Sequence, residues 1–205
     1  MKKGKASKLA LALIIVLMTT MLAGCGSDKG KNAKEKDELV VATAYDAKSL
    51  DPHAVNEVAA SNVMLQIYNT LVTIDDEGNV TPSLAESYEH PDDLTYEFKL
   101  KKGVKFHNGD EMKASDVKFS LERAANSPAI AHIFGDINTD SFETPDDYTI
   151  SFKLNNPNTG FLAGLAHIGG SVLSEKAVTE LGDRYGMEPV GTGPFKFLNW
   201  AKGDR

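Results

Sequence analysis

The stretch AESYEHPDDLTYEFKLKKGVKFHNGDEMKASDVKFSLER, residues 85–123, decides the fold. Apolar and polar residues alternate over 94–100, which predicts a strand with one buried and one solvated face. The Asn-Gly-Asp sequence at 108–110 predicts a tight turn, because Asn and Gly tolerate positive φ. Ser115 is the predicted N-cap of a helix, with Asp116 favoured in its first turn by the helix dipole. The residues expected on the core side of this helix are Val117, Leu121 and Ala124.

A second segment repeats the pattern of this strand. Residues 92–100 and 146–154 both begin with an acidic pair and continue with alternating apolar and polar residues. We therefore predict that the two strands are neighbours in one antiparallel sheet, covered by the helix that starts at Ser115. One repetition is too little to indicate a solenoid.

Towards the amino terminus, residues 39–42 form an apolar run typical of a buried strand. Pro52 then biases the preceding residue away from the helical region. A helix is predicted over 59–71, and a hairpin follows in which 71–74 and Val80 flank an acidic turn. The residues expected on the core side of the helix are Met64, Leu65, Ile67, Tyr68 and Leu71.

Towards the carboxyl terminus, the sequence predicts a loop at 155–159 and a short buried helix at 161–168. A further helix is capped by Ser174 and ended by Gly182. The glycines in Pro-Val-Gly-Thr-Gly-Pro-Phe-Lys-Phe at 189–197 are expected to permit a tight entry into a strand. This segment lacks the third Gly, the Lys and the helix of a phosphate-binding loop, which argues against a nucleotide site.

The charge balance excludes one class of partner. Four of the 22 Lys and Arg residues and none of the 29 acidic residues precede Cys25, so the rest of the chain carries a net charge of −11. Proteins that bind nucleic acid rely on Lys and Arg to displace counterions, so we expect no nucleic acid partner. Cys25 is the single cysteine, and no intramolecular disulfide is possible.

The first 24 residues read as a lipoprotein signal peptide. A basic start precedes an apolar run over 9–22, which is shorter than the ~20 residues that a membrane-spanning helix needs. The Leu-Ala-Gly-Cys sequence that ends at Cys25 looks like a lipobox, where a diacylglyceryl group joins the sulfur and cleavage precedes the cysteine. A free thiol at an ordinary cleavage site is the alternative. Residues 25–38 have almost no apolar side chains and are predicted to be a disordered tether.

Several motifs occur together in the order typical of one family. They are Leu-Ala-Glu-Ser-Tyr at 84–88, Tyr-Glu-Phe-Lys-Leu-Lys at 96–101, Gly-Val-Lys-Phe-His-Asn-Gly-Asp at 103–110 and Ala-Ser-Asp-Val-Lys at 114–118. Over residues 39–200 the sequence resembles the large bacterial solute-binding proteins of dipeptide and oligopeptide ABC importers. The resemblance implies a mixed α/β fold: a type II periplasmic-binding-protein-like lobe with an inserted antiparallel-sheet subdomain, the second lobe being absent.

The same resemblance implies a division of the chain. Residues 39–205 would be the amino-terminal part of the solute-binding domain of a longer protein, or a truncated gene product. Main-lobe strands are expected in 39–55 and 188–205, and the inserted subdomain over 56–187. The protein would be a monomer held by a lipid at Cys25 on the extracytoplasmic face of the cell membrane, on a Gram-positive surface.

The resemblance also implies a site. In the family, the segment after Ser-Leu-Asp-Pro-His lines the cleft and pairs its backbone with a bound peptide, as an added strand. The matching positions here are Asn56, Glu57, Val58 and Ala59, although the same residues also suit an ordinary lead into a helix. A Tyr after Ser-Pro makes a second contact in oligopeptide binders; Ala129 stands at that position, so a roomier pocket is expected.

Signals for catalysis and cofactors are weak. The sequence has no Gly-x-Ser-x-Gly, no His-x-x-x-His and no Cys partner for its scattered histidines, so we expect neither an enzyme, a metal site nor a cofactor. His107 is expected to be solvated or to bond within its turn. The leading hypothesis is peptide capture for an ABC permease. The alternatives are a nickel chelate, glutathione or haem on the same fold, or a surface lipoprotein peptidase.

Overall fold

The computed structural model describes residues 39–203. The predicted signal peptide, the lipidation site at Cys25 and the predicted tether all lie outside the described residues. No helix within 39–203 is long and apolar enough to cross a membrane.

A four-stranded antiparallel sheet forms the centre of the described chain, with strand order β3-β4-β6-β5. The strands are β3 (Ala85–Glu89), β4 (Thr95–Leu100), β5 (Ile137–Asp146) and β6 (Thr149–Leu154). Strands β4 and β6 pair directly, with Phe98 opposite Ile150 and Tyr96 opposite Phe152. The prediction that the two acidic-turn strands are antiparallel neighbours is therefore confirmed.

The buried face of the sheet is aromatic. Tyr96, Phe98 and Phe152 are each exposed by 2% or less, and the rings of Phe98 and Phe152 stack with centroids 6.1 Å apart. Helix α2 (Ala114–Ala125) covers this face with Val117, Leu121 and Ala124, as the sequence predicted. These side chains share one hydrophobic cluster with the sheet, so burial of apolar area stabilises both elements together.

The start of α2 differs from its prediction. Lys113, not Ser115, is the N-cap, and Ser115 is exposed within the first turn. The carboxylate of Asp116 accepts the backbone N–H of Lys113 at 3.0 Å and that of Glu175 at 3.1 Å. Asp116 therefore does the capping from inside the helix, because its carboxylate reaches back to a free N–H group. The turn before it is as predicted, with Gly109 at a φ of 94°.

Helix α1 (Val58–Ile67) is shorter than the predicted 59–71. Tyr68 is extended and Thr70 forms a β-bridge with Ser171, so the chain leaves the helix in order to pair. Met64 and Ile67 are buried as expected, and Tyr68 and Leu71 are buried although they lie beyond the helix. Leu65 is wrongly assigned to the core, since it is 52% exposed.

The predicted hairpin forms between β1 (Val72–Ile74) and β2 (Val80–Pro82). Its acidic turn is closed by Asp75, whose carboxylate accepts the N–H groups of Glu77 and Asn79 at 3.0 and 2.8 Å.

The remaining helices are short: α3 (Ala131–Phe134), α4 (Phe161–Gly164) and α5 (Glu175–Leu181), with 3₁₀ turns at Ile168–Gly170 and Gly182–Gly186. The predicted helix over 161–168 is thus a single α-helical turn. Ser174 caps α5 by accepting the N–H of Ala177 at 3.2 Å, and Gly182 follows the last residue, both as predicted.

The expected main-lobe strands are not formed. Residues 39–42 have no regular secondary structure, and Leu39, Val40 and Val41 are 70% to 81% exposed. Residues 189–203 also lack regular secondary structure. A strand needs a neighbour to receive its hydrogen bonds, and no strand within 39–203 pairs with either segment.

Candidate functional site

The turn at 49–54 is built by its own polar groups. The N–H of Asp51 donates to Ser49 Oγ at 3.1 Å, and the N–H of His53 donates to Asp51 Oδ1 at 2.9 Å. The N–H of Ala54 closes the turn on the Asp51 carbonyl at 3.1 Å. Pro52 has no N–H to satisfy and favours the extended conformation of the residue before it, which suits this arrangement.

An ion pair fixes the turn to helix α2. Arg123 donates from both terminal nitrogens to the two carboxylate oxygens of Asp51, at 2.8 and 2.5 Å. The Asp51 side chain is only 8% exposed. Burial acts to raise the pKa of Asp51, but the hydrogen bonds and the positive charge of Arg123 outweigh it, so the pKa is lower than usual. Asp51 is therefore a permanent carboxylate at neutral pH.

His53 lies beneath the same turn and is buried, with 3% exposure. Neither ring nitrogen has a hydrogen-bond partner of regular geometry among the described residues. Burial, and next the charge of Arg123, lower the pKa of His53 to about 3, so the ring is neutral. Its carbonyl accepts a short hydrogen bond from Ser127 Oγ, which ties the turn to the loop after α2.

Two buried tyrosines support the turn from below. Tyr68 donates its hydroxyl to the Leu50 carbonyl at 3.0 Å, and Tyr185 donates to the Val190 carbonyl at 2.9 Å. Burial raises the pKa of both hydroxyl groups well above the ordinary value. They therefore act as neutral donors, and neither is suited to serve as a base at neutral pH.

The predicted contact segment runs from this turn into the first residues of α1. Asn56 is exposed, Glu57 has φ −132° and ψ 144°, and Val58 begins α1 with 77% of its surface exposed. Among the described residues, no acceptor receives the N–H groups of Asn56, Val58 or Ala59. A free and extended backbone of this kind can accept an added strand.

The side chain of Glu57 is already engaged. Its carboxylate accepts the Lys48 N–H at 2.8 Å and pairs with the Lys48 ammonium at 3.1 Å. The Lys48 backbone hydrogen bond, and next the bond from its ammonium, lower the pKa of Glu57. The carboxylate thus closes the loop between 48 and 57, and any contact of Glu57 with a solute would fall to its backbone.

Ala129 is half-buried near the same turn. Its N–H donates to Ser127 Oγ at 3.3 Å, and that hydroxyl donates in turn to the His53 carbonyl. One serine side chain therefore links Ala129 to the 49–54 turn, which precedes the other predicted contact segment, 56–59.

The glycines at 191 and 193 have a role that the sequence did not reveal. The Gly193 N–H donates to the Ile67 carbonyl at 2.8 Å, and a Cβ at Gly191 would lie 2.0 Å from that same oxygen. The glycines thus permit close contact with the end of α1, and the predicted tight strand entry is wrong. Local sequence carried no signal for a contact more than a hundred residues away.

His107 also contacts this glycine segment. The backbone N–H of His107 donates to the Gly191 carbonyl at 2.9 Å. Its ring Nε2 donates to the Gly193 carbonyl at 2.8 Å. Nδ1 accepts from the Gly191 N–H at 3.4 Å, so both ring nitrogens face this segment. The expected solvated or turn-bonding His107 is instead a bridge between distant segments.

Asp46 and Tyr45 follow the extended amino-terminal segment. Asp46 accepts the Trp200 indole N–H at 3.0 Å and the Gly203 N–H at 2.8 Å, so it joins the two ends of the described chain. Tyr45 is 79% exposed. No group of three or more His, Cys, Asp or Glu side chains that could hold a metal ion occurs within 39–203.

Comparison with known proteins places this geometry in a family. Residues 79–205, more than half of the chain, match the family model described as bacterial extracellular solute-binding proteins, family 5 middle. The chain belongs to this family. The resemblance noted in the sequence is therefore confirmed.

The names and titles of similar proteins mention different solutes. The chain is 36% identical over 171 residues to the glutathione-binding protein GsiB of Pectobacterium atrosepticum, covering 82% of this chain and 33% of that protein. A periplasmic binding protein DppA from Helicobacter pylori, in complex with the peptide STSA, has a TM-score of 0.68 at 36% identity, covering 77% of this chain and 36% of that one. NikZ from Campylobacter jejuni, in complex with Ni(L-His), has a TM-score of 0.72 at 30% identity, covering 82% and 34%.

These matches confirm the predicted fold class, since the similar structures are periplasmic binding proteins. The chain spans about a third of the length of the relatives that it matches.

Proposed function

We propose that this chain is part of the substrate-binding component of an ABC importer and that it captures a peptide without catalysing a reaction. The observation that carries the proposal is the lead into α1, which is exposed at Asn56 and Val58 and extended at Glu57, and in which the N–H groups of Asn56 and Val58 have no acceptor within the described chain. The family membership and the peptide-bound relative support the same reading.

The chemistry of such a site is strand addition. Main-chain hydrogen bonds hold the backbone of any peptide, while loose side-chain pockets leave its sequence free. Asn56, Glu57, Val58 and Ala59 would supply the backbone contacts. The small side chain of Ala129 would leave room for a side chain of the solute.

Glutathione is the second candidate solute, because the curated relatives are named as glutathione-binding proteins. A nickel chelate is the third, because a similar structure holds Ni(L-His). Haem and a surface peptidase were further alternatives. The similar proteins are named as binding proteins, which favours a binding function over a peptidase.

We also propose the domain division that the resemblance implied, with an inserted subdomain over 56–187 and main-lobe segments at 39–55 and 188–205. The bonds of Asp46 to Trp200 and Gly203 support this division, because they hold the two outer segments together. The partner would be the ABC permease, and the protein would act as a monomer.

The lipid anchor at Cys25 is part of the proposal. Two or three acyl chains on one residue would hold the protein on the extracytoplasmic face of the cell membrane. Replacing Cys25 with Ser should release the processed protein into the medium, as measured by fractionation and immunoblotting. Processed Cys25→Ser protein that stays in the membrane fraction would contradict the anchor and leave the solute-binding proposal intact.

The backbone contact has a sharp test at Val58. This residue is the first of α1, where Pro is tolerated because its N–H has no helical acceptor. Glu57 before it is already in the extended region that Pro requires. Val58→Pro should therefore keep the fold and remove one donor to the solute, whereas Val58→Ala removes only an exposed side chain.

Calorimetry on the full-length protein decides between the candidate solutes. The solutes tested are a library of tri- and tetrapeptides, glutathione and Ni(L-His). We expect peptide binding that Val58→Pro weakens by about tenfold, the worth of one hydrogen bond, while Val58→Ala stays near wild type. Equal affinities for both variants would remove the backbone site. Binding of glutathione or the nickel complex alone would replace the peptide by that solute.

A further inference from the structure

We propose that Asp51, Arg123 and Ser127 are positioning residues, which hold the segment 55–58 in the conformation that receives the solute. We call these three residues the clasp. The inference rests on the proposed function for its solute, and goes beyond it by assigning control of that site to residues outside the predicted contact segment.

The clasp holds the tip of a loop, and a second contact closes its base. At the base, Glu57 accepts the Lys48 N–H and pairs with its ammonium group. At the tip, Asp51 receives both terminal nitrogens of Arg123, and the His53 carbonyl receives the Ser127 hydroxyl. The backbone between tip and base has no hydrogen bond of its own at Asn56 within the described chain. The path of 55–57 is therefore set by its two fixed ends.

Arg123 is suited to this role by its chemistry. A guanidinium binds a carboxylate through two parallel hydrogen bonds, which fixes the orientation of the pair as well as its distance. A Lys ammonium lacks the two parallel donors and does not fix the orientation. Both partners are largely withdrawn from water, with side-chain exposures of 30% for Arg123 and 8% for Asp51. Screening by salt is weak for such a pair.

The clasp is also attached to a helix that is packed against the sheet. Arg123 lies in the last turn of α2, while Leu121 and Ala124 on the same helix are buried against the sheet. Ser127 lies two residues after the helix and also binds the Ala129 N–H, at the second predicted contact position. One clasp thus connects the turn that leads into 55–58 and the backbone at 129 to α2 and the loop that follows it.

A fixed segment binds more tightly than a free one, because the solute does not have to order it. Loss of the clasp would remove the bonds that join the turn to α2 and to the loop after it, leaving the Glu57 contact at the base and the Tyr68 hydrogen bond to the Leu50 carbonyl. The affinity should fall even though neither Asp51 nor Arg123 is asked to touch the solute.

The experiment compares wild type and three variants of the full-length protein. Arg123→Met alone strands the buried charge of Asp51 and can unfold the protein, so the main variant is the double substitution Asp51→Asn with Arg123→Met, which removes both charges. Arg123→Lys keeps the charge and loses the two-pronged geometry. Arg184→Met is the matched control, because Arg184 is 64% exposed and pairs only with Glu188 on the surface.

Two quantities are measured well below the unfolding transition of each variant: the dissociation constant for the tightest peptide of the tri- and tetrapeptide library, and amide hydrogen exchange at 53–58. We expect the double variant to bind about tenfold more weakly or worse, with faster exchange at 53–58. Arg123→Lys should fall between the double variant and wild type, and Arg184→Met should match wild type in both measurements. Saturating peptide should also slow exchange at His53 and Ala54 in wild type, because coupling is reciprocal.

Unchanged affinity in a folded double variant, or faster exchange at 53–58 without any loss of affinity, would overturn the positioning role. Lower thermal stability with wild-type affinity below the transition would do the same, since it is the mark of a purely structural ion pair. If wild type binds no peptide, glutathione or nickel complex, the proposed function fails instead. Exchange at 53–58 that is the same with and without the clasp would then show that the clasp does not hold the segment either.

Discussion

The described chain has two hydrophobic cores of different character. The sheet core lies between the four-stranded sheet and α2, and its centre is apolar and aromatic: Tyr96, Phe98, Ile150, Phe152 and Phe161. The turn core lies under the 49–54 turn and gathers Leu50, Met64, Tyr68, Leu173 and Tyr185. Buried polar side chains border the turn core, among them the charged Asp51 and the neutral His53. The sheet core is mainly apolar packing on a hydrogen-bonded sheet, whereas the turn core also depends on the pairing of buried polar side chains.

This difference separates stability from function. Apolar packing tolerates changes of pH and salt, so the sheet core can serve as a constant support. Polar pairing in a dry region is sensitive to the charge of each partner. The predicted solute contacts at 56–59 emerge from the turn core, and the proposed site is thus attached to the more sensitive of the two regions.

The largest expected effect is in the sheet core. Phe152 is 1% exposed and its ring packs against those of Tyr96, Phe98, Phe142 and Phe161. Phe152→Ala should lower the free energy of unfolding by about 3–5 kcal/mol, because it removes the packing of a ring and leaves a cavity. The same range is expected for Phe98→Ala. Urea unfolding measures both, and a near-neutral result for the pair would mean that the β4–β6 pairing is misassigned.

The second prediction uses pH to separate the two cores. The pKa of His53 is about 3 in the folded protein and near 6.5 in the unfolded chain, because burial opposes its charge. As the pH falls, the unfolded chain binds the proton first. The free energy of unfolding therefore has its full value, as far as His53 is concerned, above pH 6.5. It falls as the pH drops from 6.5 towards 3. By about pH 4.5 the loss should reach about 2–3 kcal/mol.

His53→Leu is the variant that tests this assignment. It replaces a side chain whose nitrogens have no regular partner with an apolar one of similar size, so stability at neutral pH should change little. The decline between pH 6.5 and 4.5, measured by urea unfolding, should become much flatter. His167→Gln is the control, because burial lowers the pKa of His167 as well, but that ring is only half-buried. An equally steep decline in His53→Leu would show that other groups cause the acid sensitivity.

The sequence predicted the sheet core well because its information is local. Alternation over 94–100 shows which face of the strand is buried, and the acidic pairs before 94 and 148 identify the two strands as similar. The helical period of α2 did the same for Val117 and Leu121. In each case the pattern that shows which face is buried lies within a few residues, and the pairing of β4 with β6 was inferred from the similarity of two such local patterns.

The turn core and the glycine segment were not predictable in this way. Arg123 and Asp51 are 72 residues apart, and His107 reaches a carbonyl 86 residues away. A polar residue carries no mark of its distant partner, so one sequence cannot show the pairing. The strand expected at 39–42 does not form for a related reason: an apolar run predicts burial but does not supply a neighbouring strand, and none of the strands within 39–203 pairs with it.

The third prediction concerns the contact between the glycine segment and α1. A Cβ at Gly191 would lie 2.0 Å from the Ile67 carbonyl oxygen, so Gly191→Ala must push the two backbones apart. We expect Gly191→Ala to lower the free energy of unfolding by about 1–3 kcal/mol and to speed amide exchange at Gly193. Gly160→Ala is the matched control, since a Cβ there meets only Asn158 Oδ1 at 3.5 Å. Equal stabilities for the two variants would contradict the close approach.

The smallest effect is expected for two serines at helix starts. One lies beside the turn core and the other beside the sheet core. Ser174 begins α5, which enters the turn core through Ala177, and its hydroxyl accepts the N–H of that residue at 3.2 Å. Ser115 lies inside the first turn of α2 on the sheet side, where Asp116 already receives the free N–H of Lys113. Ser174→Ala should therefore cost about 1 kcal/mol, because a helix N–H loses its acceptor, while Ser115→Ala should change stability by only a few tenths. Thermal or urea unfolding of the two variants side by side is sufficient. If Ser115→Ala lowered the free energy of unfolding more than Ser174→Ala does, Ser115 would be the N-cap of α2, as the sequence alone suggested. Asp116 would then not be the capping group.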